Sequence, residues 1–142
     1  MTEQQNIAIV KRGYEAFGRG DINGLMALCA ENVEWVSSGP SEMPTAGIRR
    51  GREQVAEFFK AVDQVFEMQR FEPKQFVAQG EHVVVLGEDT AKVKATGKVL
   101  TEEWAHAFTI RDGKIAAFRE YIDTAEVVAE LRAAPARERN AV

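Results

Sequence analysis

Residues 104–123 read WAHAFTIRDGKIAAFREYID, and their alternation decides what fold the rest of the chain has to build. In a strand, residues two apart share a face. Trp104, His106, Phe108 and Ile110 therefore share one face, against Glu103, Ala105, Ala107 and Thr109 on the other. Asp112-Gly113 supplies a two-residue joint of the kind that suits an antiparallel hairpin. On the returning strand, Lys114 to Ile122, the alternation sets Phe118, Glu120 and Ile122 opposite Arg119, Tyr121 and Asp123. The bulky set of each strand belongs inside. Tyr121 competes as a core residue, but burying Phe118 and Ile122 leaves Arg119 in water. His106 and Glu120 consequently meet on the concave faces of two neighbouring strands.

Working backward, Val99 to Ile110, His82 to Ala95 and Phe71 to Gln79 carry strand signals, joined by Thr96-Gly97 and Gly80-Glu81. A long antiparallel meander follows, and strands of this length twist and coil. Upstream the period changes. Val55, Phe58, Phe59, Val62, Val65 and Phe66 form a helical stripe after a basic helix start at Arg49-Arg50-Gly51-Arg52, which reads as solvated. Gly39 to Gly47 is a turn-rich loop. Val33 to Ser37 is a short strand. Ile7, Val10, Tyr14 and Phe17 recur at helical spacing behind a capping box at Thr2 and Gln5, and Gly18 and Gly20 end that helix. Asp21 caps a second helix with inward Ile22, Leu25, Met26 and Cys29. Asp123 and Glu126 cap a last helix through Leu131. The expectation is one α+β domain over residues 1–134. Three N-terminal helices pack on a strongly curved, mixed but mainly antiparallel sheet around a pocket, with a short C-terminal helix. Residues 135–142 read as a disordered tail.

The 142 residues suit one core. A net charge of −4 with interspersed signs excludes the basic patch that nucleic acid requires. No apolar run reaches the roughly 20 residues that span a bilayer, so the expected location is the cytoplasm and no membrane partner is expected. The single cysteine, Cys29, reads as a core residue, because no His or charged activator lies near it in sequence. Phosphate loops, paired-cysteine zinc motifs and His-Glu-x-x-His helices are missing, so neither a cofactor nor a metal is implied.

A buried ionisable pair is costly unless its members bond to each other or serve chemistry. Two accounts of His106 and Glu120 stand side by side. In one the pair is structural. In the other a cavity leaves it reachable, and Glu120 and His106 are the catalytic acid–base groups. Trp35 and Ser37 share a face at the cavity mouth, although core placement explains Trp35 equally well. Asp89 either joins the site or belongs to a turn or bulge at Gly87-Glu88-Asp89. Trp104, Phe108, Phe118 and Ile122, with Tyr14 and Phe59 from the helices, line the expected ligand site. His82 beside its turn reads as exposed and silent, and Asp123 as a helix cap or a direct participant. A Ser37-His106-Glu120 triad can be drawn, but nothing places that serine on a sharp elbow.

The layout resembles the NTF2-like superfamily and, within it, the SnoaL-like and ketosteroid-isomerase-like branch. The resemblance is carried by YEAFGRGD (14–21), LMALCAENVEW (25–35), FTIRDGKI (108–115) and FREYID (118–123). It implies a cone of helices and curved sheet around a deep pocket, a small apolar ligand, and a homodimer through the outer sheet face, with which the outer set Ala105, Ala107, Thr109 and Arg119 is compatible. Ketosteroid isomerases use an aspartate base where this chain has Ser37, a tyrosine acid near Gly13, and a second acid where it has His106. In epoxide-hydrolase-like members the functional positions match Trp35, Ser37, Asp89, Ala91 and Glu120, of which Glu120 alone keeps its chemistry. Polyketide cyclases of the branch use one acid–base carboxylate, which Glu120 with His106 as donor would supply. The implied function is proton transfer of isomerase, cyclase or epoxide-hydrolase type, and a non-catalytic binding or assembly module is the alternative.

Overall fold

Thr2 caps α1 (Glu3–Gly18) through the reciprocal bonds of a capping box, its hydroxyl accepting from Gln5 N while the Gln5 side chain accepts from Thr2 N. This is the first element of the computed structural model, which describes residues 1–134. The tail expected at 135–142 lies outside them. Gly20, at φ 71°, turns the chain into α2 (Ile22–Leu28), where Asp21 accepts from Gly24 N. Cys29 opens β1 (Cys29–Ser37), fully buried.

The structure corrects the next segment. The stretch expected to run from loop into a solvated helix start contains β2 (Gly47–Arg50), antiparallel to β1. Its arginines are engaged. Arg49 donates to the carbonyls of Pro44 and Thr45 and lies over the Phe58 ring, while Arg52 donates to the Cys29 carbonyl. Gly51, at φ 84°, starts α3 (Arg52–Val65) without a side-chain cap. Phe66, expected on that helix, instead begins β3 (Phe66–Gln79).

β3 pairs with β4 (His82–Val93), β4 with β5 (Val99–Arg111) and β5 with β6 (Lys114–Ile122), all antiparallel; β6 then lies parallel to β1. One six-stranded mixed sheet results, in the order β2-β1-β6-β5-β4-β3. Asp112 and Gly113, both at positive φ, form the primed turn that matches strand twist. The β4–β5 connection spans residues 94–98 and is longer than a two-residue joint. α4 (Ala125–Ala133) starts at Thr124, and Asp123 accepts only from Ala125 N, so the expected capping box does not form.

α1, α2 and α3 cover the concave face. Ile9, Val10, Val33, Val55, Val83, Val85 and Ile115 are each no more than 1% exposed there, and α4 closes a second core around Met43, Leu100 and Val127. Val77, Val84, Leu86 and Tyr121 stand exposed on the outer face. No helix among the described residues is long and apolar enough to cross a membrane.

Candidate functional site

Aromatic side chains from both layers keep the helices from closing fully on the sheet. A chamber of about 90 Å³ remains between Tyr14 and Phe17 of α1, Phe58 and Phe59 of α3, Trp35 of β1 and the concave strands. A second chamber of about 80 Å³ lies toward α4, with Met43, Thr45, Glu102 and Val127 in its wall. Asp89 and Glu120 line both. They mark the junction of one two-part cavity. An apolar void of about 150 Å³ holds benzene, so the space suits a ligand of one or two small rings.

The deep chamber carries one polar chain. Ser37 Oγ donates to Glu120 Oε1 at 2.8 Å, His106 Nε2 lies 3.3 Å from Glu120 Oε2, and the Tyr14 hydroxyl lies 2.8 Å from His106 Nδ1. Burial disfavours the Glu120 carboxylate, but donation from His106 and Ser37 overcomes it and holds the group below its ordinary value. Burial likewise lowers His106, against the pull of Glu120. The pair is therefore an ionised carboxylate and a neutral imidazole at neutral pH. The Glu120 side chain keeps 22% exposure and His106 only 5%, so of the two the carboxylate is the more open to a ligand in the cavity. Trp104 stacks behind His106 at 3.8 Å between ring centroids, 11° from parallel.

Asp89 lies inside β4 and not in a turn, and the bulges beside it, at 68–70 and 73–75, belong to the partner strand β3. Register with β5 runs unbroken from Gly87↔Trp104 through Asp89↔Glu102. Gly87 is there because a Cβ would stand 2.5 Å from the Trp104 ring and 2.6 Å from the Glu72 carbonyl. Burial, then the charge of Glu120, push the Asp89 carboxyl up to about 7. Because the folded value exceeds the unfolded one, the native state binds the extra proton, and stability falls as pH rises from about 4 to about 7. Asp89→Asn removes that loss. The variant is expected to be more stable than wild type at pH 8 by about 1 kcal/mol or more, read as a higher melting temperature, with the advantage shrinking to nothing near pH 4; an equal difference at both pH values would contradict the assignment.

Of the residues expected at the site, Tyr14, Trp35, Phe59, Asp89, His106, Phe108, Phe118 and Glu120 stand in the wall of the deep chamber. Ile122 lines the outer one, Ser37 bonds Glu120 from β1, and Trp104 sits behind His106. Asp123 and His82 are exposed. Gly13 is buried against Leu25, and the neighbouring Tyr14 is the residue that reaches His106. Glu102 was missed. It shares the parity of Trp104 and His106, and burial with the charge of Glu126 pushes it up to about 7. Met68 and Phe71 were missed as well, because bulges at 68–70 and 73–75 interrupt the parity of β3. The described residues hold no group of three or more His, Cys, Asp or Glu side chains suited to a metal ion.

No curated protein matches this chain. Among solved structures it is similar to an NTF2-like protein of Burkholderia xenovorans, 41% identical over 95% of this chain and 99% of that one, TM-score 0.82. A Burkholderia pseudomallei NTF2-like protein of unknown function is 31% identical over 91% and 97%, TM-score 0.80. TerC, co-crystallised with polyporic acid, is 30% identical over 88% and 96%, TM-score 0.80. The SnoaL-like domain family matches residues 10–118. With that match covering most of the chain, and with the cone and its pocket in place, the chain belongs to the SnoaL-like family of the NTF2-like superfamily.

Proposed function

We propose that the protein is a small-molecule enzyme of the isomerase, cyclase or epoxide-hydrolase type, moving a proton on an apolar ring substrate held in the two-part cavity. Glu120 carries this reading. It is an ionised carboxylate, held by two donors yet open to both chambers, which is what a positioned general base requires. Asp89, whose carboxyl burial pushes up to about 7, adds a donor at the same junction in its protonated form. Both nitrogens of His106 are committed within the protein, so it orients Glu120 and does not meet the substrate. TerC, crystallised with polyporic acid, supports a small organic occupant.

A non-catalytic ligand-binding module is the second reading. What favours it is that Glu120 is held low by its two bonds, below the near-neutral value that suits a base. Deuterium exchange separates the two. Cyclohexanone, 2-cyclopentenone and 1-tetralone in D2O are followed by NMR for loss of α-protons, cyclohexene oxide is followed for hydrolysis, and melting is recorded with each. Exchange or hydrolysis above the buffer rate supports the enzyme. Stabilisation by a panel member with no chemistry on any of them assigns the protein to the binding class.

A further inference from the structure

The polar groups of the deep chamber are bonded in a fixed order. A carboxylate can only accept, so the neutral imidazole facing Glu120 carries its one proton on Nε2. Nδ1 is then a bare lone pair, and the Tyr14 hydroxyl 2.8 Å away donates to it. In the sequence hydroxyl, imidazole, carboxylate, the imidazole takes the hydroxyl proton and the carboxylate steadies the imidazolium, which leaves the oxygen with more electron density to offer. Trp104, stacked on the imidazole, holds the ring plane in line with both partners. His106 is 4% exposed and has no free nitrogen, while Tyr14 stands in the chamber wall.

We infer that Tyr14, activated through His106, is the group that takes up and returns the substrate proton in the deep chamber, with Glu120 acting from behind the imidazole. The inference deepens the acid–base reading and rests on it, but moves the group that meets the substrate from Glu120 to Tyr14 and leaves Glu120 as the charge behind the relay. In the forward step a proton leaves a carbon next to a carbonyl for the Tyr14 oxygen, and the C–H electron pair moves into the carbonyl to form an enolate. Tyr14's own proton passes to Nδ1 in the same event. The imidazolium that results is held by the Glu120 carboxylate. Return of the Nδ1 proton through Tyr14 to another atom of the ring completes an isomerisation with no net change in protons. Burial, then the charge of Glu120, push the Tyr14 phenol well above its ordinary value, so a free phenolate is disfavoured and the two transfers are concerted.

Two measurements test this. Nitrogen NMR of the His106 ring in the wild type is expected to show a protonated Nε2 and an accepting Nδ1; a proton on Nδ1 overturns the relay whatever the substrate. Tyr14→Phe, which removes only the hydroxyl, is expected to slow α-proton exchange of cyclohexanone roughly a hundred- to ten-thousand-fold while ketone affinity stays within about twofold. Undiminished exchange in Tyr14→Phe, with Glu120→Gln inactive, overturns the role of Tyr14 and leaves the acid–base reading standing. A wild type that exchanges no panel ketone overturns both.

Discussion

Glu120→Gln is expected to lower turnover by roughly a hundred- to ten-thousand-fold and to leave the protein folded. Glutamine has the same shape, and its carbonyl can still accept from Ser37 or His106. What it lacks is the negative charge that takes a proton directly or steadies the imidazolium. The stability change follows from the direction of the Glu120 shift. A carboxyl held below its ordinary value in the folded state contributes stability above its unfolded value, and that contribution disappears as pH falls through the folded value. Neutralising it at pH 7 weakens one charge-assisted bond and removes the acceptor of the other, by about 1 kcal/mol each, offset by the desolvation that the charge no longer suffers. A net loss under about 2 kcal/mol is expected. Glu120→Ala is different, since it strands the Ser37 hydroxyl and the His106 N–H without an acceptor. If Glu120→Gln itself loses 3–5 kcal/mol, as a broken buried pair does, and turnover cannot be found in either protein, the carboxylate is structural.

Phe118→Ala is expected to cost about 3–5 kcal/mol of stability. Phe118 is 5% exposed, stacks on Trp35 at 3.9 Å between centroids, and meets His106 and Phe108 edge-on at 4.9 and 5.1 Å. Few neighbours can follow into the vacated space, because β6 is pinned between β1 and β5. Urea unfolding would measure the loss. A value under about 1.5 kcal/mol would show that Trp35 collapses into the gap and that the chamber wall is softer than its stacking implies.

Much of this site was legible before any coordinates. The faces of β5 and β6 follow from a period of two and a two-residue turn, which are properties of the local chain. Asp89 was legible in part. Val83, Val85, Ala91 and Val93 share its parity and are buried, but Gly87 reads as a break until Trp104 is seen to occupy the place of its side chain. Glu102 was available to the same rule that turned His106 inward. β2 was not legible at all. Its residues are Gly, Ile, Arg and Arg, with Ile48 54% exposed, and backbone bonds to β1 alone make it a strand. Arg49 and Arg52 look solvated in sequence because the carbonyls they bond belong to other elements or to a loop.

The sequence by itself determined the order of the elements other than β2, the inward set of each strand in the closing hairpin, and the presence of a carboxylate and an imidazole in an apolar interior. Periodicity is a short-range property, so these needed no knowledge of distant residues. Only the tertiary structure decided which polar groups touch. Tyr14 meets His106 across 92 residues and Ser37 meets Glu120 across 83. A hydrogen bond forms only when two atoms come within about 3 Å, and that distance depends on how far the sheet curls and where α1 rests upon it.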